Sequence, residues 1–174
     1  NSLDFLKLGE MLSEELGDKK HLSLFLGSIG SFHSVRGGDP LLGIKYSEKS
    51  FHEAEKIEGL DIMAPVASRL CAFYIIAGEP YKTSLLALKV MKVIKRQNRQ
   101  HHFFGLGNNV YTALSLYYGH SLGWLGDFEK GELHCKKGLE FGEKIDSLTG
   151  LALAEFLYGY LYMHKGDGKN VKKH

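Results

Sequence analysis

Hydrophobic residues recur along most of the chain at steps of three and four positions, the spacing that aligns side chains on one face of an α-helix. Clear examples lie between Leu42 and Ile57 and between Phe128 and Ile145. The strict alternation typical of β-strands is weak throughout. The pattern predicts an all-α protein with helices at residues 2–16, 19–37, 41–59, 61–78, 81–101, 104–125, 128–146 and 148–165.

Four dipeptides of glycine and an acidic residue interrupt the hydrophobic runs. A regular period of roughly 20 to 50 residues is typical of solenoids, in which each helical pair packs only against its neighbours. We therefore expect an all-α, right-handed superhelical solenoid of antiparallel helical hairpins. The additional residues of the middle interval fall around positions 95–107, as either a longer helix or a loop. The turns are Gly38-Asp39, Gly78-Glu79, Gly126-Asp127 and Gly166-Asp167, at intervals of 40, 48 and 40 residues.

A small residue stands seven positions before each turn glycine, at Ser31, Cys71, Gly119 and Gly159. A small side chain at this position allows two helices to approach each other closely. The aspartate that follows a turn glycine is suited to cap the next helix, because its carboxylate accepts the free amide hydrogens there.

We expect residues 1–174 to form a single solenoid, which the turns divide into repeats. Residues 1–18 correspond to the second helix of a preceding repeat, and 147–174 to a truncated repeat at the other end. The complete repeats between them are 19–59, 60–103 and 104–146. We therefore expect the chain to be a fragment of a longer protein.

The last two turns and the helices around them resemble the tetratricopeptide repeat (TPR) family, and the resemblance extends over nearly the whole chain. In that family the first helix of a unit carries an aromatic residue, then Leu-Gly and Tyr, and runs into a Gly-Asp-Tyr/Phe turn. The matching residues are Tyr118-Gly119, Leu122, Gly126-Asp127-Phe128, Gly131 and Gly138 in one unit, and Tyr158-Gly159, Tyr162 and Gly166-Asp167 in the next.

Two features depart from the TPR pattern. The period here is 40 residues, whereas about 34 is usual in the family, and the proline that often closes a unit is missing. The longer period is similar to repeat regions that follow an ATPase module in large bacterial signalling proteins, including nucleotide cyclases and transcriptional activators. The nearest competing fold is a HEAT-type solenoid, and the Gly-Asp turns favour the TPR alternative.

The resemblance implies that the first helix of each unit lines a concave groove. Aromatic and arginine side chains are common binding anchors, so the groove is expected to bind a peptide or partner protein with apolar or aromatic side chains. The alternative is that several of these residues only pack against neighbouring helices. The groove residues implied are Phe32, Arg36, Arg69, Tyr117, His120, Trp124, Tyr160 and His164.

Charge, hydrophobic stretches and cysteine spacing exclude only a few classes of function. The net charge of +2 does not favour nucleic acid or an anionic membrane as a partner. Hydrophobic stretches are too short to span a bilayer, and Cys71 and Cys135 lie far apart, which is typical of reduced packing cysteines. We therefore expect a cytoplasmic protein that has no membrane contact.

Catalytic chemistry is not indicated. No phosphate-binding P-loop occurs, and Gly105-Leu-Gly107 lacks the strand and the third glycine of a dinucleotide site. The adjacent pair His101-His102 is unsuited to chelation, because neighbouring side chains on a helix point about 100° apart. We expect no catalytic residue, cofactor or metal site, and hence no enzyme.

The favoured function is a protein–protein interaction or regulatory scaffold segment of a larger cytoplasmic signalling protein. One alternative is a small-molecule-sensing domain, in which the groove closes into an apolar pocket. A second is a helical repeat that associates with nucleic acid through the basic run between Lys89 and Arg99. That run lacks interleaved aromatic residues for base stacking, so nucleic acid is not the expected partner.

Overall fold

A computed structural model describes residues 2–174 of the 174-residue chain. Within these residues the regular structure is entirely helical, as the sequence predicts. The helices are α1 (Ser2–Glu15), α2 (Lys19–Val35), α3 (Pro40–Lys56), α4 (Leu60–Ile76), α5 (Pro80–Arg96), α6 (Val110–Trp124), α7 (Phe128–Lys144), α8 (Leu148–Lys165) and α9 (Gly168–Val171).

The largest difference from the predicted helix bounds lies in the middle of the chain. The helix predicted at 81–101 ends at Arg96, and the helix predicted at 104–125 begins at Val110. Residues 97–109 therefore form a loop. Asn109 organises this loop: its side-chain nitrogen donates to the backbone oxygens of Gln100 (2.9 Å) and His102 (3.3 Å), while its side-chain oxygen accepts from the Thr112 amide at 2.9 Å.

The Gly-acid turns end one helix and begin the next. Each of the four turn glycines adopts a positive φ, between 67° and 95°, a conformation that closes a helix and favours glycine. The following aspartates cap the next helices as predicted, because Asp39, Asp127 and Asp167 accept backbone N–H groups three residues further on. Glu79 makes no such capping hydrogen bond.

Helix ends between the predicted turns use the same backbone conformation without glycine in most cases. Glu58, Asn98 and Asp146 have φ values of 49°, 55° and 52°. Together with the glycines they place a left-handed residue about once per helix. At the helix ends the positions are 17, 38, 58, 78, 98, 126, 146 and 166. The one long interval, 98 to 126, spans nearly all of the 97–109 loop, in which Phe104 and Gly105 also have positive φ.

The described chain separates into two compact units, the first ending at Ala77 and the second spanning Gly78–His174. In the first unit helices pack in chain order from α1 to α4, and α2 also contacts α4. In the second unit helices α5 to α9 again pack in order, and α6 also contacts α8. Each unit is therefore a sequential helical array. A single solenoid over residues 1–174 stays a prediction.

Two hairpins, α2–α3 and α6–α7, are held together at a crossing between two glycines. A Cβ atom added to Gly30 would lie 2.8 Å from the Gly43 carbonyl oxygen, and one added to Gly43 would lie 2.7 Å from that of Gly30. In α6–α7 the same test gives 2.6 Å from Gly119 to the Gly131 oxygen and 2.7 Å in reverse. Both backbones are thus too close for any side chain.

The crossing corrects the predicted alignment of α2. Gly43 and Gly131 both lie four residues after the capping aspartate of their turn, and they face Gly30 and Gly119. The small residue of α2 is therefore Gly30, not Ser31. The reason is the turn: the amide of Asp39 bonds six residues back to His33, whereas that of Asp127 bonds five residues back, so the first turn contains one more residue.

Candidate binding site on helices α6 and α8

Helices α6 and α8 lie against each other in the second unit, and α7 packs on both of them. The core that holds them is apolar and almost completely buried. It includes Leu116 of α6, Cys135 of α7 and Leu157 and Leu161 of α8. Because glycine at position 123 leaves room for the Leu161 side chain, the two first helices of successive hairpins can pack side by side.

Four of the residues predicted to bind a partner form one cluster on these helices. His120 and Trp124 stand one turn apart on α6, and Tyr160 and His164 stand one turn apart on α8. The Trp124 and His164 rings stack with centroids 5.0 Å apart. The His120 ring lies 5.6 Å from that of Trp124, 5.6 Å from that of His164 and 6.1 Å from that of Tyr160. We call these four residues the aromatic cluster.

His120 is the buried centre of the aromatic cluster. Its side chain is fully buried, and neither ring nitrogen has a hydrogen-bond partner among the described residues. Burial, with a smaller contribution from His164, lowers the pKa of His120 to about 4. The ring is therefore neutral at pH 7. A buried neutral imidazole offers one donor and one acceptor, and leaving both unused is costly.

The rest of the cluster reaches the surface. Trp124 is 38% exposed and Tyr160 is 43% exposed, while His164 is half-buried with an unpartnered Nε2 atom. Phe156, one turn before Tyr160 on α8, is 58% exposed, and the two rings are 4.9 Å apart. The sequence reasoning missed Phe156, although its four-residue spacing from Tyr160 places both on the same helix face.

The other predicted groove residues have different surroundings. Tyr117 is half-buried and packs against the core under α6, α7 and α8. The remaining three belong to the first unit. Phe32 is half-buried with its ring edge-on to His33 at 5.8 Å, Arg36 is exposed at the end of α2, and Arg69 is exposed on α4.

The corrected alignment also changes which α2 residues correspond to the aromatic cluster. Since Gly30 is equivalent to Gly119, the counterpart of His120 is Ser31 and the counterpart of Trp124 is Val35. Phe32 and Arg36, the residues predicted for the groove, thus lie one position after the true counterparts of His120 and Trp124. That they bind a partner stays a prediction, as it does for Arg69.

Metal binding and thiol chemistry have little support in the described residues. Among residues 2–174 no group of three or more histidine, cysteine, aspartate or glutamate side chains could hold a metal ion. Cys71 and Cys135 are buried thiols that form no disulfide bond within residues 2–174, and burial raises the pKa of both. A thiol whose pKa is raised by burial is a poor nucleophile at neutral pH.

No helix within residues 2–174 is both long and apolar enough to cross a membrane. Comparison of the sequence with family models and with curated proteins finds no significant match in either case.

Proposed function

We propose that the chain is a TPR-like segment that binds a peptide through the aromatic cluster. The observation that carries the proposal is the arrangement around His120: exposed aromatic rings of Trp124 and Tyr160 beside a buried imidazole with two unused polar atoms. Aromatic side chains at a partly exposed site are frequent binding anchors, since they combine a large apolar area with a polar edge.

The expected ligand is a segment with one aromatic or long apolar side chain. That side chain packs on the exposed rings of Trp124, Tyr160 and Phe156, while the buried His120 lies beneath them. Charge is a minor part of recognition here, because burial keeps His120 neutral at pH 7.

The family assignment within this proposal is supported by three features. Gly-Asp turns with positive φ join the helices, glycines allow the close crossing of α6 and α7, and the first helices α6 and α8 pack side by side. In TPR proteins the first helices line the concave face, so the aromatic cluster would lie in a groove. By the same resemblance, we propose that the segment belongs to a larger cytoplasmic signalling protein.

The test is selection from a displayed peptide library with the full chain, followed by titration of the selected peptides. Trp124 is the single tryptophan, so its fluorescence reports binding at the cluster directly. We expect the selected peptides to share an aromatic or long apolar residue and to change the Trp124 emission.

Variants separate the cluster from the rest of the surface. Tyr160→Ala should weaken the selected peptides by about tenfold or more, because a central aromatic anchor contributes at least ~1.4 kcal/mol. Tyr81→Ala is the matched control, since Tyr81 is an exposed aromatic residue on α5. Equal binding by both variants, or selected peptides without an apolar residue in common, would refute the proposal.

A further inference from the structure

A second concave site lies in the Gly78–His174 unit, between α5, α6 and α7. Helices α5 and α7 both pack on α6, but in the described chain they make no close backbone contact with each other. The gap between them contains a cavity of about 270 Å³. Tyr111 of α6 lines it, and His120 follows nine residues later, half a turn around the helix. The cavity is therefore on the side of α6 away from the aromatic cluster.

The inner walls of the cavity are apolar and aromatic. Met91 of α5 and Ser115 of α6 are buried there. The rings of Tyr111 and Phe141 pack edge to face with centroids 5.2 Å apart. Such a ring pair provides flat apolar surface against which another ring can stack.

The outer wall carries positive charge without a compensating carboxylate. Lys92 and Lys95 of α5 and Lys137 of α7 line the cavity, and no aspartate or glutamate does. Among residues 2–174 none of these three lysines forms an ion pair, and the Lys95 ammonium lies 5.6 Å from the Tyr111 ring centre. His134 also lines the cavity. Its pKa is lowered mainly by burial and further by the positive charges of Lys137 and Lys95.

This combination selects a chemical class of ligand. Three ammonium groups around one opening repel each other, and a dianion relieves that repulsion better than a single carboxylate does. A phosphate monoester carries about −1.5 to −2 charges at neutral pH, and lysine is a common phosphate ligand. The volume is slightly below that of pockets for drug-sized ligands, about 300–1,000 Å³, which suits a small metabolite.

We propose that this lysine-rimmed cavity binds a small phosphate monoester that carries a flat ring, such as a nucleoside monophosphate. The phosphate pairs with Lys92, Lys95 and Lys137, and the ring packs against Tyr111 and Phe141. The site is independent of the peptide site proposed for the aromatic cluster, because no residue is shared.

Calorimetric titration of the full chain tests the proposal, with adenosine monophosphate, adenosine and inorganic phosphate as separate probes. The monophosphate should bind at least about tenfold more tightly than either adenosine or phosphate, because each of these lacks one half of the interaction. Its affinity should fall as salt is raised, since exposed lysines are screened. Equal weak binding of phosphate and the monophosphate would reject the ring contact and overturn the proposal.

Single substitutions then locate the site. Lys95→Gln and Lys137→Gln should each weaken the monophosphate by about tenfold. Lys136→Gln is the control, because Lys136 neighbours Lys137 in sequence but lies 3.9 Å from the Glu140 carboxylate and does not line the cavity. Tyr160→Ala should leave the affinity unchanged. Absence of binding to the unmodified chain at millimolar concentration, or an equal loss in the control, would contradict the proposal.

Discussion

The hairpins α2–α3 and α6–α7 share one scaffold but differ in what fills the seam between their helices. Both cross at a pair of glycines whose backbones leave no room for a Cβ atom. Two turns away, α2–α3 is joined by reciprocal hydrogen bonds: the Ser23 hydroxyl donates to the Ser50 carbonyl oxygen at 2.7 Å, and the Ser50 hydroxyl donates to the Ser23 carbonyl oxygen at 2.6 Å.

The equivalent positions in α6–α7 are Thr112 and Gly138, and there the polar link is missing. The Thr112 hydroxyl is buried and has no partner among the described residues, and Gly138 faces the Leu116 side chain. This hairpin depends on apolar packing around Leu116 and Cys135 instead. The same backbone crossing is thus stabilised by polar groups in one copy and by the hydrophobic core in the other.

The outward faces differ more than the seams do. On α6 the positions after the crossing glycine carry His120 and Trp124, whereas the equivalent positions on α2 carry Ser31 and Val35. The repeated glycine crossing therefore carries an aromatic cluster in only one of the two hairpins. Packing constrains the crossing, but the outer face is free to vary.

The largest expected effect comes from filling the glycine crossing. Gly119→Ala should destabilise the protein by about 3 kcal/mol, because the new methyl group meets backbone atoms that cannot move aside. Gly30→Ala should have a similar cost if the two crossings are equivalent. Chemical denaturation measures both, and a cost below about 1 kcal/mol in either hairpin would show that its crossing is looser than described.

The next largest effect should come from acid, which acts on the α6–α7 hairpin through His120. The pKa of His120 falls from 6.5 in the unfolded chain to about 4 in the fold, so the unfolded state takes up its proton first as pH decreases. Stability is then lost between pH 6.5 and 4, in total about 3 kcal/mol from this group.

The variant His120→Leu checks the origin of that loss. It removes the titrating group and the two unused polar atoms, and its free energy of unfolding should vary less with pH than that of the unmodified protein. Urea unfolding at pH 7 and at pH 4.5 measures the difference. Equal pH dependence in the two proteins would show that His120 is not the residue that responds.

A smaller effect is expected from the serine pair of α2–α3. Ser50→Ala should cost about 1 kcal/mol, since it removes the hydroxyl that donates to the buried Ser23 carbonyl oxygen across the seam. The double variant with Ser23→Ala should lose less than the sum of the single variants, because the two hydrogen bonds are adjacent and coupled. Strict additivity in denaturation experiments would indicate independent bonds.

The smallest expected effect has the opposite sign. Gly159 occupies on α8 the position that Gly119 occupies on α6, but a Cβ atom there would meet only the His174 backbone carbon, at 4.0 Å. Gly159→Ala should therefore stabilise the protein by up to about 1 kcal/mol through helix propensity. A destabilising result in thermal or chemical unfolding would mean that this position is closed by packing as well.

Much of the fold was predictable from local signals. The Gly-Asp turns indicated helix ends correctly, because glycine at positive φ and an aspartate cap act over only a few residues. The helix ends at Glu58, Asn98 and Asp146 had a weaker sequence signal, since these residues adopt the same positive φ without being glycine. For the middle stretch the sequence left a longer helix and a loop as alternatives. The Asn109 hydrogen bonds that hold the loop reach back nine and seven residues, to Gln100 and His102, which is further than a capping pattern extends.

The candidate site was predictable in part. Helical spacing and the TPR resemblance grouped His120, Trp124, Tyr160 and His164, and the structure brings these four together. The groove residues predicted on α2, Phe32 and Arg36, were displaced by one position. The additional residue in the turn before Asp39 has no signature of its own in the sequence. The cavity between α5 and α7 was not foreseen at all.

The sequence by itself determined the helices and most of their ends, because these follow from side-chain periodicity and from capping within a few residues. Tertiary structure alone decided which glycines are closed by a neighbouring backbone, that His120 is buried with unused nitrogen atoms, and that Lys95 and Lys137 face one cavity. Those properties depend on the distance between helices that are far apart in the chain, and a pattern along one helix does not contain that distance.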